Sequence, residues 1–374
     1  MTTARGERRA VQLVTSHQEH TNRMPRTIVH RVALAAALPI VACAPSPRAA
    51  APSPAAPQAL AWAAGPVLPV GRDHHATWIA PAADGTAQLY VAGGTDYRGV
   101  FGDVWRLPLS ARGEPAGEWT AAGTLPARRA GQGVATDGRF VVLAGGQDST
   151  VRKVTDVWTA AVLPAGELGA WSSAPPLPAP RFHHALLYHD GWLYALGGLE
   201  AKESVAAGFR APFRGGVVGA WSALPPTPEP RSHHSAFVVG DTLYLLGGLN
   251  GNPAGKNTPL TSIIAATIGG DGALGPWRSA GEITPAVATH ATAVAGGVVW
   301  TVGGVEENAR FSRVVWRAAA GSAAAMSAWH RDSVALPEAS SPVHQMPAFA
   351  GRIFRVGGGS RRVVTGQTLM ARVE

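Results

Sequence analysis

The chain has 374 residues and combines 45 glycines, 30 prolines and 12 tryptophans with only 15% charged residues, a composition typical of short strands joined by tight turns rather than long helices. Residues 1–43 carry six Arg and two Glu, which accounts for half of the formal charge of +8; because the remaining Lys and Arg are scattered, we predict no nucleic-acid partner. A single cysteine excludes an internal disulfide framework and any paired-cysteine metal or redox site.

The first predicted element is a targeting segment, residues 1–43. Two arginines flank the start of the apolar run 32–42, whose length fits the apolar region of a signal peptide and is too short to cross a bilayer as a helix. The run ends in Ile-Val-Ala-Cys at Cys43 and resembles the lipobox of bacterial lipoproteins. This resemblance implies a lipid on Cys43 and an extracytoplasmic location on a bacterial membrane, in the periplasm or at the cell surface. A plain or uncleaved secretory leader is the alternative, and a start at Met24 would give a leader of conventional proportions.

The second predicted element is a tether, residues 44–60. It is rich in proline, alanine and serine and has no hydrophobic periodicity. Such a composition favours a semi-extended linker, so we expect it to separate the anchor from the fold without packing against it.

Residues 61–374 contain an internal repeat of about 50 residues. A Gly-Gly pair follows an apolar strand six times, and a lone tryptophan recurs out of phase with it. The glycine pairs begin at Gly93, Gly145, Gly197, Gly247, Gly303 and Gly357, and the tryptophans are Trp62, Trp119, Trp171, Trp221, Trp277 and Trp329. Each unit divides into four short strands, and the tight Asp-Gly and Gly-Asp steps between apolar runs are hairpin signals.

One motif carries a family resemblance. Pro-Arg-x-His-His followed by x-Leu-Tyr-x-x-Gly-Gly is nearly complete at 180–198 and 230–248, and such units resemble kelch repeats. The resemblance implies an all-β fold over residues 61–374, a six-bladed β-propeller with four antiparallel strands per blade. Blades 5 and 6 are weaker, with Val287 and Ser341 aligned to arginine.

The repeat phase predicts how the ring closes. Trp62 precedes the first glycine pair, whereas the chain reaches Glu374 without a tryptophan strand after the last pair. We therefore expect residues 61–64 to complete the last blade, which removes an exposed sheet edge. The repeated tryptophans are expected to pack between blades.

The longest connections, such as 94–104 and 248–262, join the second and third strands of a blade. Antiparallel order places these connections and the links between blades on one face, where we expect loop-borne function to lie. The first-to-second and third-to-fourth turns are expected to be short and to lie on the other face.

Polar side chains recur at this predicted face. Four arginines begin the inner strands, and three residues later a histidine or glutamine recurs. A second set follows each glycine pair and is mostly acidic. The candidate ligand-binding residues are Arg72, Arg129, Arg181, Arg231, His75, His184, His234, Asp96, Asp148, Glu200 and Glu306, and the weaker members are Gln132, His290, His344, Asn250 and Ser360.

Two interpretations of these residues stay open. Arginines and acids can pair with one another inside the ring, as a crowded channel requires. Alternatively, arginines converging at one mouth can bind a carboxylate or another anion, an arrangement that Arg231 favours because Asn250 is its aligned neighbour. Adjacent histidines on a strand point to opposite faces, so we predict no metal site, and no cofactor motif is present.

The favoured function is a monomeric binding module that recognises a protein or glycan through the long-loop face. The alternative is an enzyme resembling the six-bladed kelch sialate mutarotases, in which an arginine would hold a sugar acid and a carboxylate would relay a proton. Copper-radical oxidases also carry kelch propellers, but their cysteine cross-link has no counterpart here because the single cysteine lies in the leader.

Overall fold

The computed structural model describes residues 60–373 apart from 321–325, 327, 342–344 and 361–362. The predicted targeting segment, its Cys43, residues 44–59 of the tether and His344 therefore lie outside the described residues. The last tether residue, Leu60, is described and is fully buried against blades 5 and 6, so the prediction that residues 44–60 do not pack is wrong at this residue.

The described strands form six antiparallel four-stranded blades, and the third carries one additional short strand. From the inner to the outer edge, blade 1 contains Ala76–Pro81, Ala87–Ala92, Asp103–Leu109 and Thr120–Thr124, and blade 2 contains Gly133–Thr136, Phe140–Ala144, Val157–Ala161 and Ser172–Ala174. Blade 3 contains Ala185–His189, Trp192–Leu196, Gly208–Arg214 and Ser222–Leu224, with Val217–Val218 as the additional strand. Blade 4 contains Ser235–Val239, Thr242–Leu246, Ser262–Thr267 and Arg278–Glu282. Blade 5 contains Ala291–Ala295, Val298–Val302, Val315–Ala319 and His330–Arg331, and blade 6 contains Ala348–Phe349, Arg352–Val356, Thr368–Arg372 and Trp62–Ala64.

The connections from second to third strands form small hairpins in four blades. Their paired strands are Leu199–Glu200 with Glu203–Ser204, Leu249–Gly251 with Asn257–Pro259, Val305–Glu306 with Arg310–Phe311, and Gly359–Ser360 with Val363–Val364. One 3-10 helix, Glu307–Ala309, lies in the blade 5 hairpin. No helix among the described residues is long and apolar enough to cross a membrane.

The N-terminal strand closes the ring, as the repeat phase predicts. Trp62–Ala64 pairs antiparallel with Thr368–Arg372, and the register places Trp62 opposite Ala371 and Ala64 opposite Leu369. The third strand of blade 6 therefore gains an outer partner from the opposite end of the chain, which removes an unpaired sheet edge.

The glycine pairs lie where the backbones of two neighbouring blades meet. Gly93 and Gly94 have φ angles of 63° and 96°, where residues with a Cβ are strained. A Cβ on Gly93 would lie 2.3 Å from the Arg129 carbonyl oxygen of blade 2, and one on Gly94 would lie 2.7 Å from the Asp73 carbonyl oxygen. The Gly94 N–H donates to the Arg129 carbonyl at 2.7 Å.

The same backbone hydrogen bond recurs between every pair of neighbouring blades and corrects the alignment of blade 6. The second glycine of blade 5, Gly304, donates to the carbonyl of Ser340, so Ser340 rather than Ser341 occupies the arginine position. Ser341 instead pairs with Gly359, as Ala288 pairs with Val305 in blade 5.

Apolar side chains pack mainly between blades. The described residues form six hydrophobic clusters, one for each interface between neighbouring blades. The outer-strand tryptophans help to join the interfaces, as predicted. Trp119 Nε1 donates to the Pro66 carbonyl of the closing segment at 3.1 Å, and Trp221 and Trp277 donate to proline carbonyls of the preceding blades at 2.9 and 3.2 Å.

The strand order defines two faces. The loop face carries the second-to-third connections and the inter-blade links, and the turn face carries the other two connections of each blade. The third-to-outer connections were expected to be short but span ten residues at 110–119, 162–171 and 268–277. They bind the neighbouring blade: the Tyr90 hydroxyl donates to the Gly166 carbonyl at 3.0 Å.

Candidate functional site

Arg72 shows how the inner-strand arginines are held. Its side chain is fully buried, and Nη1 and Nη2 donate to the two carboxylate oxygens of Asp103 at 2.7 and 2.9 Å. Nη1 also donates to the Gly93 carbonyl at 2.9 Å, and the guanidinium lies 4.6 Å from the centre of the Phe101 ring. The forked pair satisfies a charge that burial would otherwise penalise.

The other three arginines have similar environments in their own blades, and the structure does not bring the four together. Each is buried and pairs with a carboxylate, which in blade 2 comes from the same position as Asp103 and in blades 3 and 4 from other positions. Arg129 pairs with Asp156 at 2.9 Å, Arg181 pairs with Glu200, and Arg231 pairs with Glu229 at 3.1 Å. The acid that the sequence alignment does not supply to Arg231 is therefore Glu229, two residues before it.

Burial and ion pairing together set the pKa values of Asp103 and Arg231. Burial opposes ionisation of Asp103, but hydrogen bonds from Arg72 and Trp105 hold its pKa below the usual value. Burial lowers the pKa of Arg231 to about 10, and the charge of Glu229 opposes that shift.

The aligned acids have mixed roles. Asp96 Oδ1 accepts hydrogen bonds from the backbone N–H groups of Arg98 and Gly99 at 2.9 and 3.0 Å. Asp148 Oδ1 accepts from the Thr150 N–H at 2.9 Å, so both aspartates stabilise hairpin turns. Glu200 binds Arg181, and Glu306 forms an ion pair with Arg310 four residues later.

The second histidines of the motif lie at blade interfaces. His75 hydrogen bonds to the backbone of Val356 in blade 6, and burial, reinforced by the charge of Arg72, lowers its pKa to about 3. Gln132 occupies this position in blade 2 and donates to the Ala92 carbonyl of blade 1 at 3.0 Å. The rings of the equivalent residues lie against the first glycine of the preceding blade; these residues are His184 at Gly145, His234 at Gly197 and His290 at Gly247.

The first histidines of the motif, which sequence reasoning did not select, meet at the loop-face mouth of the channel. His183 lies 4.4 Å from His74 and 3.8 Å from His233, measured between ring centres. All three have positive φ angles of 54–58°. Their backbones are joined through hydrogen bonds between neighbouring blades, including His233 N–H to the His183 carbonyl at 3.1 Å. The sequence signal for these residues was the repeated His-His pair. Only the second histidine of each pair faces the blade interface, so the first is left to face the mouth.

A buried carboxylate, that of Asp73, contacts His74 at the mouth of the channel. The carboxylate of Asp73 lies 3.2 Å from His74 Nδ1 and accepts a hydrogen bond from the Tyr97 hydroxyl at 2.9 Å. Burial alone would raise the pKa of Asp73, but the charge of His74 and the hydrogen bonds lower it to about 2. The pKa of His74 is raised because Asp73 outweighs the effect of burial.

The central channel narrows to a cavity of about 20 Å³ between the inner strands, close to the volume that one water molecule needs. The side chain of Gln345 crosses it, and Nε2 donates to the carbonyls of Val134 and Leu186 at 2.8 and 3.0 Å. No three His, Cys, Asp or Glu side chains within the described part of the chain are arranged to hold a metal ion.

Comparison with known proteins adds sequence similarity to this geometry. No protein-family model matches the chain. Kelch-like protein 33 from Homo sapiens is 33% identical to it over 140 residues. The match covers 37% of this chain and 24% of the relative, so the chain spans about a quarter of the length of the curated relative.

Proposed function

We propose that this kelch-repeat β-propeller is a protein-interaction module that receives its partner on the loop face. The observation that carries the proposal is a set of exposed apolar side chains on the second-to-third connections of three consecutive blades. Val363 in blade 6, Tyr97 in blade 1 and Val151 in blade 2 are 67%, 51% and 60% exposed. We call these three residues the apical patch.

Backbone strain supports a role for the apical patch. Tyr97 and Val151 have φ angles of 69° and 65°, and a β-branched residue such as valine rarely adopts this conformation. The Tyr97 hydroxyl is bound to Asp73, and the N–H of Val151 donates to the Asp148 carbonyl at 3.0 Å. Strained, exposed apolar residues held by their surroundings are typical of binding loops.

The geometry gives less support to the enzyme alternative. A sugar acid would need an arginine with unused donors at a common site. Arg72, Arg129, Arg181 and Arg231 instead lie in separate blades, each with an internal carboxylate. A glycan ligand remains a proposal without a specific contact to favour it.

Photo-crosslinking in the native cells tests the interaction. A p-benzoylphenylalanine in place of Val151 should form one discrete protein adduct, which Tyr97→Glu should abolish. The control is the same replacement at Val217, which is 69% exposed on the turn face. The proposal fails if both positions give the same adducts, or if Val151 gives none.

We further propose that the propeller is displayed outside the cytoplasm by a lipid on Cys43. The Ile-Val-Ala-Cys sequence after an apolar run supports this location. Metabolic labelling with an alkyne fatty acid should label the wild-type protein but not Cys43→Ser, and equal labelling of both would refute the anchor.

A further inference from the structure

A concave site lies at the turn-face mouth of the channel, on the face opposite the apical patch. It is a bowl of about 460 Å³ to which all six blades contribute, chiefly through the ends of their inner strands. Its apolar wall includes Ile79, Leu187, Tyr188, Val294 and Phe349. Small-molecule sites in proteins commonly have such a volume and a mainly apolar lining.

The irregular sixth blade forms the floor. Its inner strand is only two residues long, Ala348–Phe349. The preceding residues cross toward blade 5, where Met346 N–H donates to the Thr292 carbonyl at 3.2 Å. Gln345 consequently lines both the bowl and the narrow channel, and separates the two cavities.

The orientation of the Gln345 amide follows from its partners. Both groups within hydrogen-bond distance of Nε2 are carbonyls, of Val134 and Leu186, and a carbonyl can only accept. The amide nitrogen must therefore point toward them. Its Oε1 accepts no hydrogen bond from the described residues, so the floor offers an unused acceptor.

The described lining of the bowl also lacks charge. None of the described residues that line it is Asp, Glu, Lys, Arg or His, although these types form the ion pairs elsewhere in the ring. Two of its threonine hydroxyls have internal partners: Thr136 donates to the Phe140 carbonyl at 2.8 Å, and Thr292 lies 2.9 Å from the Thr301 hydroxyl. A charged occupant would lose hydration without a counter-charge.

We propose that the bowl binds an uncharged, mainly apolar small molecule that donates one hydrogen bond to Gln345. The volume accommodates the ligand, the apolar wall provides the burial, and the amide oxygen selects a donor over a second acceptor. The site is independent of the apical patch, because the two lie on opposite faces of the propeller.

N-phenyl-1-naphthylamine is a suitable probe because it is neutral, apolar and fluorescent in apolar surroundings, and carries a single N–H. The full chain with Cys43→Ser should bind it saturably at one site. Val294→Asp places a charge inside the bowl and should weaken binding at least tenfold. Val217→Asp, the same substitution on the same face outside the bowl, should leave the affinity unchanged. The N-methylated probe, which lacks the donor, should bind several-fold more weakly.

Three outcomes would overturn the proposal. Equal binding by the two aspartate variants would place the probe elsewhere, and equal affinity for the two probes would remove the role of Gln345. Sedimentation that shows a dimer dissociated by Val294→Asp would mean that a second copy of the chain covers the bowl.

Discussion

At the scale of single residues, the ion pairs of the inner strands are asymmetric. Arg72 is fully buried, whereas the Asp103 side chain retains 35% of its exposure. Loss of the arginine leaves an acid that water can reach, but loss of the acid leaves a buried guanidinium without a counter-charge. The acid therefore controls whether the arginine can stay inside.

This asymmetry predicts the effect of Asp103→Ala. We expect the free energy of unfolding to fall by about 3–5 kcal/mol, because a buried charge loses its partner. Urea unfolding followed by tryptophan fluorescence measures the change. Arg152→Ala is the control, since this side chain is 78% exposed, the turn hydrogen bonds of Asp148 stay in place, and an exposed pair contributes at most about 1 kcal/mol. Equal losses in the two variants would contradict the account.

The interface histidine His75 predicts a pH dependence of stability. The pKa of His75 is about 3 in the folded protein against 6.5 ordinarily, so between these values the unfolded chain binds a proton that the folded chain does not. Stability should therefore fall as the pH falls from 6.5 toward 3, by up to about 1.4 kcal/mol per pH unit. The raised pKa of His74 acts at higher pH, because its stabilising contribution is fully present below pH 6.5 and is lost as the pH rises through the folded-state pKa.

Substitution of His75 isolates its contribution. His75→Gln copies the residue that blade 2 has at Gln132, whose amide donates to the preceding blade. We expect near wild-type stability at pH 7 and a shallower loss between pH 6 and 4, measured by urea unfolding at each pH. An unchanged slope in the variant would show that His75 does not titrate as the structure implies.

Residue positions were predictable from the repeat, but residue contacts were not. Alignment to the glycine pairs located the four arginines and the interface histidines. It could not show that Asp103 and Asp156, at the start of third strands, are partners of Arg72 and Arg129. A repeated Asp-Val-Trp at 103–105 and 156–158 was the available signal. Which carboxylate reaches an arginine depends on distances between strands, which the alignment does not contain.

At the scale of elements, the glycine pairs fix how each blade meets the next. A Cβ on Gly94 would lie 2.7 Å from the Asp73 carbonyl oxygen and 2.9 Å from His75 Cβ, at a φ of 96°. Neither neighbour is a flexible side-chain end, so the backbone would have to move. The inter-blade hydrogen bond from the Gly94 N–H would be disturbed with it.

Gly94→Ala should therefore lower stability by about 2–5 kcal/mol, through backbone strain and overpacking. Gly99 lies in the same connection, and a Cβ there would meet no atom within 4 Å. Gly99→Ala should change stability by no more than about 0.5 kcal/mol. Thermal unfolding of the two variants under one set of conditions is the test, and similar melting temperatures would argue against the clash.

Strand existence was easier to predict than the departures from regularity. Apolar runs bounded by tight turns predicted four strands in each blade because every unit repeats the pattern. The repeat gave no warning that Gln345 would leave the inner edge of blade 6 and cross the channel. The alignment there was also one residue out of register, because Ser340 and Ser341 are adjacent and identical and neither resembles arginine.

At the scale of the whole molecule, stability depends on closure of the ring. Each of the six hydrophobic clusters joins two neighbouring blades. The cluster between blades 5 and 6 includes Leu60, which is fully buried, together with Leu369 and Ala371 of the third strand. The N-terminal strand therefore contributes to packing as well as to the sheet. The sequence predicted this closure because the tryptophan and glycine repeats are out of phase.

A disulfide across the closing strands tests this closure most directly. In a Cys43→Ser background, Ala64→Cys with Leu369→Cys places two thiols on directly opposed residues, a geometry that favours a cross-link. Ala64→Cys with Ala371→Cys is the matched control, because residue 371 is on the same side of the strand but pairs with Trp62. Under mild oxidation, intact-mass measurement should show a cross-link in the first protein and little in the second. Absence of the cross-link from the first protein, or equal cross-linking in both, would contradict a ring closed in this register.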